Sequence, residues 1–352
     1  MIGRDDLKAA VGSGLLSEKQ AAGLIALSDS RRGARENLAP GDEPFELFKG
    51  FNEIFIVIGL IILAFGWSGV VALALGDEIV DLKRYAILVA GAGAVMLWLL
   101  SEYFVRKRRM IAPAIALSVM FAGNAAFGFL ATMTHPFMIA QNDYSSVPLP
   151  LLLATLAIVV YWFRVRAPFA MAMIAVGLFI IAIVFTASRG GQVEDINDLF
   201  LLSAGGPFAW ITLVLGFLVF AVAMMFDMSD PHRVTRRSAN GFWLHVVAAP
   251  ALVNTLALSL MENDAFNALL WVLGLFAIVA IIIDRRSFLI AAIGYIVALA
   301  ATVLDGDGAA LTILILGVAL LLLGALWEQI RATVLHLLGG VLPLHKLPPT
   351  HD

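Results

Sequence analysis

Apolar residues in this chain fall in long unbroken runs, without the alternation of a half-buried strand or the narrow stripe of a soluble helix. Ten runs stand out: 54–75, 85–104, 111–133, 148–163, 168–186, 207–226, 242–261, 266–283, 288–304 and 309–326. Most hold about 17–22 residues, the length a helix rising 1.5 Å per residue needs to cross a hydrocarbon layer about 30 Å thick. The run at 148–163 is short, and its Pro148 and Pro150 suit the first turn of a helix. The pattern predicts an all-α protein, a polytopic transmembrane helix bundle of about ten spans.

Shorter helical patterns flank these runs. A first helix is expected over 5–11, closed by Gly12 and Gly14, and Ser17-Glu18-Lys19-Gln20 fits a capping box ahead of Leu24, Ile25 and Leu27. Residues 1–30 thus read as a small cytoplasmic helical hairpin, too short to bury a core alone, which must dock on its own membrane domain or on a partner. Residues 31–53 read as a linker and juxtamembrane segment, and 54–326 as the transmembrane domain. In 327–352, Trp327, Ile330, Val334, Leu337 and Val341 recur at helical spacing. They predict an amphipathic helix along the inner interface, ended by Gly339-Gly340 and Pro343 and followed by a cytoplasmic tail.

Charge placement orients the bundle. Of 23 Lys and Arg residues, all but Lys83, Arg84 and Arg189 fall in alternate gaps between the runs. Short cytoplasmic loops of membrane proteins hold such an excess, so both termini are expected in the cytoplasm, with a bacterial inner membrane as the location. Asp5, Asp6 and Glu18 lie where a secretory signal would need a basic stub and an apolar core. With 61% hydrophobic and 14% charged residues and a mean hydropathy of +0.94, the chain carries more apolar surface than a soluble core absorbs. The absence of cysteine excludes disulfides, thiolate nucleophiles and iron–sulfur ligation. The lipid bilayer is the expected partner, with a cytoplasmic protein at the hairpin as a further candidate and no nucleic acid.

A charged side chain in hydrocarbon costs at least about 2.5–3.5 kcal/mol and marks function. None is expected at mid-depth here: Glu53, Glu102, Asp227, Asp284 and Glu328 all fall at span ends, within reach of water. The polar residues inside runs are uncharged. Asn124 lies between Gly123 and Gly128, and the seventh run holds His245, Pro250 and Asn254. Pro250 frees a backbone carbonyl and kinks a helix, and Asn254 beyond it brings a buried amide. His245 either hydrogen-bonds a neighbouring helix or a headgroup, or titrates in a pathway or switch. These four are the candidate cavity or polar contacts.

Gly66-Trp67-Ser68-Gly69 matches the G-x-S-G of rhomboid intramembrane proteases. Ser68, however, falls roughly 21 Å into its span and His245 about 5 Å from the same side, so the two cannot form a dyad. No catalytic residue, cofactor or metal site is expected. Gly59 with Gly66, Gly317 with Gly324, and Ala90 with Ala94 share helix faces, the small-residue device by which membrane helices approach closely.

The stretch from Leu7 to Leu27 with Gly14-Leu15-Leu16-Ser17-Glu18-Lys19-Gln20-Ala21, then Phe65-Gly66-Trp67, and Arg236-Arg237 ahead of Phe242-Trp243-Leu244-His245, resembles bacterial polytopic membrane proteins with a short N-terminal helical segment. That class is uncharacterised and implies no activity. The ten runs and the Gly-rich last one, Gly317 to Gly324, resemble the topology of ten-span drug/metabolite transporters, which implies transport. Two functions fit. The first is a carrier of a small neutral or weakly charged solute, and the alternative is a non-catalytic membrane scaffold or sensor acting through its hairpin and basic inner loops.

Overall fold

A computed structural model of the chain describes residues 4–31, 51–77, 82–135, 138, 141, 143–189, 199, 200, 202, 206–285, 314, 317, 318, 321, 322, 324–339 and 343–349. Every regular element among them is helical. In chain order these are α1 (Arg4–Gly12), α2 (Glu18–Arg31), α3 (Phe51–Asp77), α4 (Leu82–Ser101), α5 (Ala112–Met133), α6 (Pro148–Val165), α7 (Phe169–Ala187), α8 (Phe208–Met228), α9 (Arg236–Glu262), α10 (Phe266–Ile283) and α11 (Trp327–Leu338). A π-helical turn, Glu102–Lys107, prolongs α4, and a 3₁₀ turn follows α11 at Leu344–Lys346.

Seven helices among the described residues, α3 to α9, are long and apolar enough to cross a membrane, and the apolar Asn267–Ile283 stretch of α10 is shorter. The chain is therefore an all-helical protein built around apolar helices of membrane-spanning length, compatible with an integral membrane protein. The run at 288–304 and residues 32–50 of the linker and juxtamembrane segment at 31–53 lie outside the described residues, and 309–326 lies largely outside them. Two compact units are present: one comprises Pro44–Glu194, the other Met1–Glu43 with Asp195–Asp352. Both draw on the 54–326 segment.

In the Pro44–Glu194 unit, α4 to α7 pack around Leu97, Leu117, Phe121, Ile158, Tyr161 and Ala170. Tyr161 is fully buried and stacked on Phe121 at 4.6 Å, with Trp98 edge-on at 6.1 Å, while its hydroxyl lies 2.9 Å from Ser101 Oγ. That bond satisfies a buried phenol. Helix α3 meets this core through Glu53, Ile56 and Leu60, at i, i+3 and i+7.

Glu53, expected to reach water, is instead 4% exposed. Its Oε2 accepts the backbone N–H groups of Ile111 (3.2 Å) and Ala112 (3.0 Å). Those are orphan donors at the start of α5, which begins with no cap of its own, so a carboxylate on a neighbouring helix takes that role and sits at the positive end of the α5 dipole. Glu53→Ala leaves both donors without it, and is expected to lower stability by about 1–3 kcal/mol in a thermal or denaturant melt of the detergent-solubilised protein. An unchanged midpoint would remove Glu53 from the account of how α3 is held.

Small residues do bring α4 and α5 together, at Ala90, Gly93 and Gly128: a Cβ on Gly128 would fall 2.7 Å from Ala90 Cβ. Gly59, Gly66, Gly317 and Gly324 take no part in the contacts among the described residues. A Cβ on any of them meets nothing within 4 Å among the described residues. For Gly59 and Gly66 the cause is angular, since both lie to one side of the Glu53–Ile56–Leu60 stripe.

In the other unit α8 and α9 form a tight antiparallel pair. Gly216 lets Leu252 and Ala251 approach, and Ala248, Ala249, Val253 and Ala257 are fully buried along α9. Leu269, Leu273, Ala280 and Ile281 of α10 complete the core. Helix α11 packs Trp327, Ile330 and Val334 of its amphipathic stripe against it. Leu337 is 76% exposed, and Val341 lies outside the described residues.

The N-terminal hairpin belongs to this unit. Ser17 N–H donates to Gln20 Oε1 (3.0 Å) and Gln20 N–H to Ser17 Oγ (3.3 Å), the reciprocal capping box. Gly14 closes α1 with φ +75°. Ala21 and Ala22 of α2 then pack with Val234 in the turn between α8 and α9, with Val11 and Ile25 beside them.

Candidate functional site

The end of the unit on which the hairpin sits is organised by buried charge. Asp227 is the penultimate residue of α8 and His245 lies in the third turn of α9; the two face each other because the pair is antiparallel and the turn between them is short. Asp227 Oδ2 accepts a hydrogen bond from His245 Nε2 at 2.9 Å, which places the proton on that nitrogen. Arg285, two residues past α10, donates from Nε to Asp227 Oδ2 (3.0 Å) and from Nη2 to Oδ1 (2.6 Å), a bidentate fork. Its Nη2 also reaches Ser238 O at 2.8 Å. Side-chain exposure is 0% for His245, 8% for Asp227 and 1% for Arg285.

The backbone makes room for this triad. A Cβ on Gly241 would collide with Asp227 Oδ1 and lie 3.2 Å from the Ala223 carbonyl, so the carboxylate fits only because α9 carries glycine one turn before His245. Burial pulls the Arg285 guanidinium down to about 9, which still leaves it charged at neutral pH.

A second cluster adjoins the first. Asp284 sits beside Arg285 with φ +54°, and this left-handed residue sends the two neighbouring side chains to different partners. Asp284 Oδ2 pairs with Arg233 Nη1 at 2.9 Å, its carbonyl accepts from Arg233 Nη2 at 2.8 Å, and its Oδ1 accepts from Trp327 Nε1 at 2.8 Å. Asp230 accepts from the N–H groups of Val234 (3.1 Å) and Thr235 (2.8 Å) and from the Thr235 hydroxyl (2.7 Å). Thr235 in turn caps α9 through the Arg237 N–H. Arg331 of α11 holds the tail through the carbonyls of Pro348 and Pro349. Three carboxylates and three guanidiniums thus tie α8, α9, α10, α11 and the C-terminal tail into one end of the unit, with Asp284-Arg285 as a two-way clasp.

The sequence candidates divide between the units. Asn124 lies in the Pro44–Glu194 unit, where its Nδ2 donates to Ala90 O at 2.9 Å, an interhelical bond between α5 and α4. His245, Pro250 and Asn254 share α9, but nine positions at about 100° per residue place Asn254 half a turn from His245. Accordingly His245 is fully buried, Asn254 is half-buried and Pro250 is exposed. Helix α9 runs unbroken through Pro250. Ser68 donates to the Ala64 carbonyl of its own helix at 2.9 Å.

Asp227, Asp284 and Arg285 escaped the sequence reading, which placed the acids at span ends facing water. They do lie at the ends, but 58 residues separate Asp227 from Arg285, and the fork between them is buried. The one local signal was Gly241, a residue that admits a bulky partner four positions before a histidine.

No family model matches the chain, and neither a curated protein nor a solved structure is significantly similar to it. The geometry alone supports any functional reading.

Proposed function

We propose that the chain is a ten-span protein of a bacterial inner membrane, with both termini cytoplasmic, and that it works as a non-catalytic scaffold or sensor. The observation that carries this reading is the hairpin. It spends its small side, Ala21 and Ala22, on Val234, and leaves Leu15 (79%), Leu24 (44%) and Leu27 (56%) exposed. Exposed leucines on α3 to α9 fit a lipid-facing role, but these three lie on a short polar hairpin outside every apolar run, where exposed leucines fit a protein partner. The turn beneath it leads directly through Asp230 and Thr235 into the Asp227–His245–Arg285 clasp, so a partner on the hairpin bears on the way four helices are held. A solute carrier fits less well, because His245 bonds within the α8–α10 packing and Asn124 bonds α4, leaving neither directed at a shared path.

The cysteine-free chain allows one direct test. Single cysteines at Leu24, Leu27, Asn124 and Asn254 are treated with a membrane-impermeant thiol reagent, in native membranes and after purification into lipid nanodiscs. Expected is protection at Leu24 and Leu27 that is lost on purification, with Asn124 and Asn254 protected throughout. Equal labelling of the hairpin positions in both preparations would overturn the scaffold reading. Labelling at Asn124 and Asn254 would establish a solvated path and return the carrier.

A further inference from the structure

The Pro44–Glu194 unit carries its own basic end, which the scaffold reading does not use. Arg106, Lys107, Arg108 and Arg109 leave the π turn after α4, and Arg164 and Arg166 close α6; all six are exposed. Glu102 engages two of them, Arg106 at 2.7 Å and Arg164 at 2.8 Å, and so ties the two turns together. Three others lie over uncharged rings: Lys107 Nζ is 5.8 Å from the centre of the Tyr103 ring, and two guanidiniums are placed alike. Arg108 stands 5.5 Å from the centre of the Tyr103 ring and donates to its hydroxyl from Nε (3.3 Å) and Nη2 (3.1 Å). Arg166 lies 5.2 Å from Trp162 and 5.7 Å from Phe163. A ring orders a guanidinium without neutralising it, so both keep their charge for an anion; Arg108 offers it Nη1, since its Nε and Nη2 donate to the Tyr103 hydroxyl.

The backbone makes Arg166 a deliberate choice. It is the residue that ends α6, with φ +58° and its N–H on the Trp162 carbonyl at 2.8 Å. Glycine occupies that left-handed position without strain, whereas a residue with a Cβ pays for it. Arg109 ends its turn in the same way at φ +55°. A strained position filled by arginine points to a use for the side chain.

Below this end, α6 presents an apolar track. Leu149, Leu152, Leu156, Val160 and Phe163, spaced three and four apart, are 54%, 41%, 50%, 59% and 58% exposed, and the track stops where Arg164 and Arg166 begin. Tyr103 and Trp162 flank the junction, the residue types that mark headgroup depth. We propose that this end of the unit is a binding site for one anionic phospholipid: Arg166 and Arg108 hold the phosphodiester headgroup, and an acyl chain lies along the Leu149–Phe163 face of α6. A soluble anion would use the guanidiniums and leave the track without a role. The inference depends on membrane embedding, and stands or falls apart from the hairpin's partner.

The test uses the full-length protein in nanodiscs of phosphatidylcholine mixed with phosphatidylglycerol, with native mass spectrometry counting the lipid retained. The wild type is expected to retain phosphatidylglycerol in preference, and Arg108→Gln with Arg166→Gln to reduce that preference roughly tenfold. Arg236→Gln with Arg237→Gln removes equal charge from the other unit and is expected to leave it unchanged. Arg166→Gly, better suited to the left-handed turn, is expected to melt higher in phosphatidylcholine alone and still to lose the preferred lipid, which separates a ligand role from a fold role. Equal loss in both double variants would reduce the site to general surface charge. Displacement of the lipid by inorganic phosphate would make it a soluble-anion site, and retention by Arg166→Gly would overturn the proposal outright.

Discussion

Asp227→Ala is expected to destabilise the protein by about 3–5 kcal/mol, the largest effect of any single substitution in the clasp. The carboxylate accepts from His245 and from two nitrogens of Arg285, and removing it strands a guanidinium that is 1% exposed and charged at neutral pH. The loss is mostly the penalty of a buried charge deprived of its counter-ion, and only in small part the net value of the pair. Replacing both partners therefore separates the two contributions. Asp227→Ala with Arg285→Met takes out the charge as well as its partner, and should recover most of the loss. Thermal or denaturant unfolding of the detergent-solubilised protein, followed by helical circular dichroism, measures all three variants. If Asp227→Ala alone costs less than about 1 kcal/mol, the clasp does not hold α8, α9 and the end of α10 together.

Gly241→Ala should cost about 1–3 kcal/mol by overpacking. The sign is informative, because alanine is intrinsically the better helix former by about 1 kcal/mol and an unobstructed helical glycine gains from the exchange. Here the added methyl meets Asp227 Oδ1 and lies 3.1 Å from Asp227 Cγ. A long flexible side chain would swing aside, but this one is short and fixed at both oxygens. In an Asp227→Ala background only the 3.2 Å approach to the Ala223 carbonyl remains, so the same Gly241→Ala change is expected to cost markedly less than in the wild type. A double-mutant cycle across the four proteins reads this coupling directly. Additive effects would mean that the close approach of α9 to the carboxylate does not exist in solution.

Much of the helical frame was legible. The runs at 111–133, 168–186 and 207–226 correspond to α5, α7 and α8 within about two residues, because long apolar runs between polar gaps admit one regular structure in lipid. The start of α9 was read at 242 but lies at Arg236. Its first turn, Arg236-Arg237-Ser238-Ala239-Asn240, carries no apolar signal and is helical because Thr235 caps it, Asp230 orders the turn before it, and Asn240 and Gly241 are buried. The amphipathic stripe of α11 was legible as a stripe, but that Trp327, Ile330 and Val334 pack on the α8–α10 core was not, since periodicity locates an apolar face without naming what covers it.

The candidate site was legible only at one residue. His245 stood out as an imidazole in an apolar helix, whereas Pro250 and Asn254 stood out by the same criterion and lie on other sides of α9. The sequence alone determined the helical class, the lengths of the apolar helices, the segregation of basic residues and the capping box at Ser17 and Gln20, because each depends on neighbours within a few positions. Only the tertiary structure decided that Asp227 belongs to Arg285 and His245, Asp284 to Arg233 and Trp327, Glu53 to the start of α5 and the hairpin to Val234. A buried charge takes whichever partner the packing of distant helices brings within about 3 Å, and no spacing along the chain encodes that choice.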